Sequence, residues 1–190
     1  MSLALLLLVL GAGAQAEARL SQVQLAVNVG TIAPVGTETP PRYHVGPSGS
    51  VETSVFLKPW LRTSVLLGAA YLGELYRQFY PGDHGLFRLL VGGDVVYPLP
   101  SGSLFAGVSA GPCFSNWRED RAHVFHYPPD SYDTSFSWVF GARSHAGVEG
   151  LVSKRLVVGA SLAYGLTWSC DRLDLPYHLL EFSLRVGMRF

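Results

Sequence analysis

Along most of this chain apolar and polar positions alternate with a period of two, the signature of strands whose two faces meet different surroundings. Val23, Leu25, Val27 and Val29 alternate with Gln22, Gln24, Ala26 and Asn28. Val51, Thr53, Val55 and Leu57 alternate with Ser50, Glu52, Ser54 and Phe56. Thr63, Val65, Leu67, Ala69 and Tyr71 share one face, and Ser64, Leu66, Gly68, Ala70 and then Glu74 the other. Phe87, Leu89, Val91, Val95 and Tyr97 oppose Arg88, Gly92 and Asp94. Four more runs follow, with apolar faces spaced over 104–110, 136–148, 156–168 and 180–190. Their opposite faces carry Ser109, Arg143, His145, Glu149, Ser161, Glu181, Arg185 and Arg189 among glycines. The pattern predicts eight strands of about 8–14 residues, and about 9–11 suffice to cross a membrane at a tilt.

The expected connections alternate in length. Residues 59–61, 98–103 and 152–154 form short turns, while 31–49, 77–85, 116–134 and 169–176 form long loops. An even strand number with short turns at one end and long loops at the other describes an antiparallel up-and-down barrel in an outer membrane. Closure also removes the free edges of a sheet this apolar.

Alternation alone leaves two barrels open, because a secreted lipocalin-like binder keeps its apolar face inside. Three features turn the apolar face outward. Gly68, Gly92, Gly107, Gly111, Gly141, Gly159, Gly165 and Gly187 lie on the polar face, where a narrow lumen needs room for long neighbours. That face also carries Lys58, Arg88, Arg143, Arg185 and Arg189 against Glu52, Glu74, Asp94, Glu149 and Glu181, with His145 among them. Such a balance of charge suits a closed, ion-paired interior, since unpaired buried charge is costly. Finally Tyr71, Tyr97, Phe136, Trp138, Tyr164 and Trp168 sit near strand ends on the apolar face, with Trp60 in a short turn. Aromatic girdles at the two interfaces of a bilayer are built this way.

Composition agrees with the pattern. Fourteen basic and fourteen acidic residues give no net charge, which excludes a nucleic-acid footprint. Only 15% of the 190 residues are charged and 48% are hydrophobic, which excludes disorder. No stretch reaches 18 uncharged apolar residues, so a transmembrane helix is not expected. The apolar run over residues 3–10, followed by Ala14-Gln15-Ala16, reads as an export signal cleaved before Glu17. The expected division is therefore a signal peptide over 1–16 and a barrel over 17–190.

The last strand ends on Phe190, with Phe182, Leu184, Val186 and Met188 at every second position before it. This resembles the C-terminal assembly signal of Gram-negative outer-membrane barrels, and the whole chain resembles the small eight-stranded barrels of the OmpA, OmpX and OmpW kind. The resemblance implies an outer-membrane location, contact with membrane lipid and lipopolysaccharide, and recognition of the last strand by the barrel-assembly machinery. A monomer is the expected state, with a structural or surface-interaction role through the long loops. A narrow OmpW-like channel is the alternative.

Candidate chemistry is sparse. Lipid A deacylases of similar architecture use a closely spaced His and Ser on the lipid side. Here Ser144 and His145 are adjacent and so point to opposite faces. His123 and His126, near Glu119, Asp120, Asp130 and Asp133, have only weak metal-ligand spacing and read as a solvated loop. No catalytic, cofactor or metal site is assigned. Cys113 and Cys170 both fall toward the long-loop end, and export to an oxidising compartment permits a disulfide between them.

Overall fold

The computed structural model describes residues 22–35, 45–73, 82–120, 132–169 and 177–190. The expected signal peptide lies outside them. Within them the chain forms eight antiparallel strands: β1 (Val23–Pro34), β2 (Gly46–Lys58), β3 (Leu61–Gly73), β4 (Gly82–Leu99), β5 (Gly102–Asp120), β6 (Tyr132–Leu151), β7 (Leu156–Ser169) and β8 (Tyr177–Arg189). Each strand pairs with its sequence neighbours, and β1 pairs with β8 to close the barrel. No helix among the described residues is long and apolar enough to cross a membrane.

Closure follows from the register. Gln24 lies opposite Arg189 and Pro34 opposite Leu179, so the seam runs the full length of β1. Both ends of the barrel domain meet beside the short turns, where the Phe190 amide donates to the Val23 carbonyl at 2.9 Å. Backbone groups at the seam are thereby paired, and no long edge is left exposed.

The alternation sets the two surfaces as expected. Burial along β1 alternates position by position, with Gln24 and Ala26 inside and Val23 and Leu25 outside. The contrast is sharpest between Val108, 67% exposed, and Arg62, which is fully buried. A lipocalin-like interior requires the reverse, so that alternative is overturned.

Several strands run further than the apolar pattern indicates. β1 continues to Pro34 and β2 begins at Gly46, within the predicted first loop. β4 begins at Gly82, β5 continues to Asp120 and β6 begins at Tyr132, which shortens the two middle loops. The ladder between β5 and β6 persists as far as Asp120 opposite Tyr132. Backbone pairing extends there beyond the alternation that the sequence shows.

Glycine makes room where the interior is fullest. A Cβ at Gly147 would lie 2.5 Å from both the Phe105 ring and the Ala160 carbonyl oxygen, closer than Cβ atoms approach either. At Gly107 it would meet the Asp94 carboxylate and the neighbouring backbone. We predict that Gly147→Ala lowers unfolding stability by about 1–3 kcal/mol, through overpacking against Phe105. Urea titration of the folded, heat-modifiable band measures this. Wild-type stability would show that the Phe105 ring and the β7 backbone at Ala160 both yield freely.

Candidate functional site

The lumen of an eight-stranded barrel is just wide enough for side chains to fill. Here they form a connected set of ion pairs whose centre is Glu149 on β6. Its carboxylate receives Arg62 Nη1 of β3 at 2.8 Å and Arg189 Nη2 of β8 at 3.2 Å. Gln24 Nε2 of β1 donates to it at 3.0 Å and Ser103 Oγ of β5 at 3.2 Å. Gln24 also accepts from Arg189 Nε at 2.9 Å. Arg62 bridges onward, donating from Nε to Asp94 at 2.5 Å, and His145 Nε2 lies 2.7 Å from the other oxygen of Asp94.

Aromatic rings line this end of the lumen. The Arg62 guanidinium lies 4.5 Å from the Phe105 ring centre, and that of Arg189 lies 5.1 Å from Phe56. Phe56, Val96 and Phe105 form a small apolar cluster beneath the charges. Cation–π contact adds to the ion pairs and gains strength away from water.

Two further groups stand toward the loop end. Arg185 grips Glu52 with both terminal nitrogens, at 2.8 and 3.1 Å, and Ser54 Oγ adds a bond at 2.9 Å. Arg88 grips Glu181 in the same way, at 3.0 Å twice, while Arg143 Nε stands 3.5 Å from the same carboxylate. Paired bonds of this kind fix orientation as well as charge.

An apolar cluster fills the loop-side half of the lumen. Ile32, Leu66, Leu86, Leu90, Val139 and Leu179 meet there with Ala70, Leu72 and Cys113, drawn from six strands. Parity puts several of these residues inward, but nothing in the alternation marks that they gather. They come together because the strands bring them to similar heights.

The predicted interior residues divide as follows. Glu52, Arg88, Asp94, Arg143, Glu149, Glu181, Arg185 and Arg189 all face the lumen in ion pairs, and His145 faces it within hydrogen-bond distance of Asp94. Lys58 does not: the pairing of β2 with β3 shifts register between Phe56 and Lys58. That irregularity leaves Lys58 exposed at the rim, its Nζ 5.3 Å from the Trp60 ring centre. Glu74 lies outside the described residues. Arg62 was missed, although it shares the parity of Ser64 and sits opposite Asp94 in the β3–β4 register. Gln24 was read only as a polar position. The described interior holds Arg62, Arg88, Arg143, Arg185 and Arg189 with Glu52, Asp94, Glu149 and Glu181, and Glu74, expected on the same face, is not among the described residues.

The remaining candidates are placed as follows. Ser144 faces outward and donates to the Tyr164 carbonyl at 3.3 Å, while its neighbour His145 binds Asp94 inside. The Tyr164 hydroxyl contacts His178 Nδ1 on the same outer wall. Tyr71, Tyr97, Trp138 and Tyr164 are exposed on the outside, as are Phe182, Leu184, Val186, Met188 and Phe190. Cys113 is a free, buried thiol inside the barrel. Cys170, His123, His126, Asp130 and the side chains of Glu119, Asp120, Asp133, Phe136 and Trp168 lie outside the described residues.

Arg62→Met and Glu149→Gln each remove one partner of a fully buried pair. Each is expected to cost about 3–5 kcal/mol, because a charge is left behind without compensation. The double variant is expected to lose about 0.5–3 kcal/mol less than the two losses added. Denaturant unfolding of the four proteins measures the coupling, and strict additivity would show that the pair does not act as a unit.

No protein-family model matches the sequence, and a search of the curated proteins found no match. Solved structures do match in fold. Ail, the attachment invasion locus protein of Yersinia pestis, superimposes with a TM-score of 0.60 at 12% identity, covering 90% of this chain and 100% of its own. Neisserial surface protein A gives 0.53 at 13% identity, covering 90% of this chain and 97% of its own. The outer membrane protein OprG of Pseudomonas aeruginosa gives 0.52 at 8% identity, with the same two coverages. The chain therefore has the fold of the small eight-stranded outer-membrane barrels.

Proposed function

We propose that this chain is an integral barrel of the outer membrane of a Gram-negative bacterium, with a plugged lumen and a surface-interaction role carried by its long loops. The observation that carries this reading is the exchange of inside and outside. Large apolar side chains, including Val29, Leu67, Val108 and Leu184, stand exposed around the wall, while arginines and carboxylates are buried within. Water would penalise such a wall, and hydrocarbon would cover it.

The filled lumen favours a structural role over a channel. The apolar cluster drawn from six strands surrounds the Arg88–Glu181 pair, with Leu86 and Leu179 on its loop side. Ions crossing it would have to leave their hydration shells among leucine and valine side chains, at high cost. Conduction is thus disfavoured, and function moves to the loops that a rigid barrel holds in place. Two of the proteins with this fold are named for attachment and invasion or as a surface protein, which agrees with a surface role. In this reading the wall contacts membrane lipid and lipopolysaccharide, the barrel works as a monomer, and the assembly machinery reads β8 through Phe190.

Outer membranes from expressing cells, run unheated and boiled on a denaturing gel, test the location. A membrane-bound band that shifts on boiling is expected, and a soluble band without a shift would overturn the reading. Reconstituted protein in a planar bilayer is expected to stay electrically silent, so steady single-channel conductance would favour the channel instead. Leu67→Arg, at the middle of β3 on the outer wall, is expected to destabilise the barrel in lipid by about 2–4 kcal/mol. Tolerance of that arginine in lipid bilayers would show that this part of the wall does not face hydrocarbon.

A further inference from the structure

The outer wall is not evenly filled. Across β4 to β7 its side chains leave a groove of about 460 Å³. The groove follows two neighbouring rungs of the sheet. On the first, Ala110 lies opposite Val91 on one side and Ala142 on the other, and Ala142 lies opposite Leu166. On the second, nearer the short turns, Val108 lies between Gly93 and Ser144, and Ser144 lies opposite Tyr164. All these positions belong to the outward face of their strands. Val91 and Val108 stand 58% and 67% exposed, while Ala110, Ala142 and Leu166 are half-buried. Small side chains make the floor of the groove and larger ones its rims.

Packing within the chain does not force this hollow. At Gly92, which faces the lumen, a Cβ would lie 2.3 Å from the Val108 carbonyl oxygen, so no larger residue fits. Among the described residues a Cβ at Gly93 would meet only the Arg62 carbonyl oxygen, at an ordinary 3.5 Å. Glycine weakens a strand, and where packing does not require it, it marks a close approach from outside. The course of the groove identifies the occupant. At β4 it lies midway along the wall, between the exposed side chains of Phe87 and Tyr97. Toward β8 it rises to the loop side, because rungs run obliquely in a tilted, staggered barrel. There Leu166 lies opposite His178, the outward position before Leu180, where the apolar run of β8 begins. The Tyr164 hydroxyl contacts His178 Nδ1, and the two ring centres are 5.7 Å apart. With Nδ1 accepting from the tyrosine, a neutral ring carries its proton on Nε2, a donor for an ester or phosphate oxygen.

We infer that this groove seats one acyl chain of a lipopolysaccharide molecule in the outer leaflet, with Tyr164 and His178 against the polar group from which the chain leaves. Such a chain enters at the membrane surface and ends near the bilayer centre, which is the course of the groove from His178 to Gly93. The groove is continuous with the apolar wall, so its surroundings are already hydrocarbon. Its volume falls within the roughly 300–1,000 Å³ of sites that hold small ligands. A slender, flexible chain can follow two rungs, whereas the convex wall of a second barrel would rest on the rims. Long loops mark the outer leaflet, where lipopolysaccharide supplies the chains. The inference rests on the outer-membrane reading above and names the lipid that one part of the wall holds.

The test is native mass spectrometry of the folded barrel, released from detergent after titration with lipid A and, separately, with phosphatidylethanolamine. One lipid A per barrel is expected, with phosphatidylethanolamine held about tenfold more weakly. Gly93→Leu places a side chain in the groove and is expected to weaken lipid A binding about tenfold while keeping the heat-modifiable band. Ala142→Leu fills the same groove and serves should Gly93→Leu fail to fold. His178→Leu is expected to weaken lipid A binding about fivefold, through loss of one polar contact, and to leave phosphatidylethanolamine unchanged. Unchanged lipid A affinity in the groove-filling variants, or equal wild-type affinity for the two lipids, would overturn the site. A two-barrel species without a lipid A adduct, lost in Gly93→Leu, would give the groove to a second copy and overturn it as well. Absence of the barrel from outer membranes refutes the location, whereas a heat-modifiable band there with no lipid A adduct refutes this site alone.

Discussion

Glu149 is the point on which the interior turns. One carboxylate, almost fully buried on β6, is reached by side chains from β1, β3, β5 and β8. Bare, it would be among the costliest groups in the molecule, since a lone buried charge is penalised by several kcal/mol. Its partners are available only once β1 has met β8, because Gln24 and Arg189 come from the two strands of the seam. Backbone closure and interior electrostatics therefore depend on each other. The ladder brings the partners together, and the partners make a single closed register preferable to a slipped one.

From this dependence follow both surfaces. With the lumen committed to ion pairs and a loop-side apolar cluster, the apolar half of every alternating strand is left on the outer wall. The wall presents apolar side chains, and among the described residues leucine, isoleucine and valine side chains share the loop-side lumen with the Arg88–Glu181 pair. What remains for recognition lies at the ends of the strands. This is why the functional reading rests on the position of the loops relative to the barrel and not on any catalytic arrangement.

Strand number, alternation and the sense of each face were legible in the sequence because each depends on the period of two alone. Arg143, His145, Glu149, Arg185 and Arg189 were readable as interior for the same reason. Arg62 escaped because it is only the second residue of β3 after the turn at Pro59 and Trp60, where too little alternation precedes it to mark its face. Lys58 was misplaced because a register shift breaks the count of two without leaving a mark in composition. Which charge meets which across the lumen was not legible at all. Such pairing depends on how far each strand is staggered against the next, a property of the closed barrel and not of any one strand.

The ion pairs also set the tempo at which such a chain can diverge. On the outer wall one apolar residue can replace another with little consequence, so that half of each strand is free to drift. Within the lumen, Arg62, Asp94 and Glu149 form a linked set in which a change at one position is tolerated only beside a change at another. The order of faces along each strand is thus less constrained residue by residue outside than inside. A barrel built this way shares its fold with proteins to which it is only 8–13% identical.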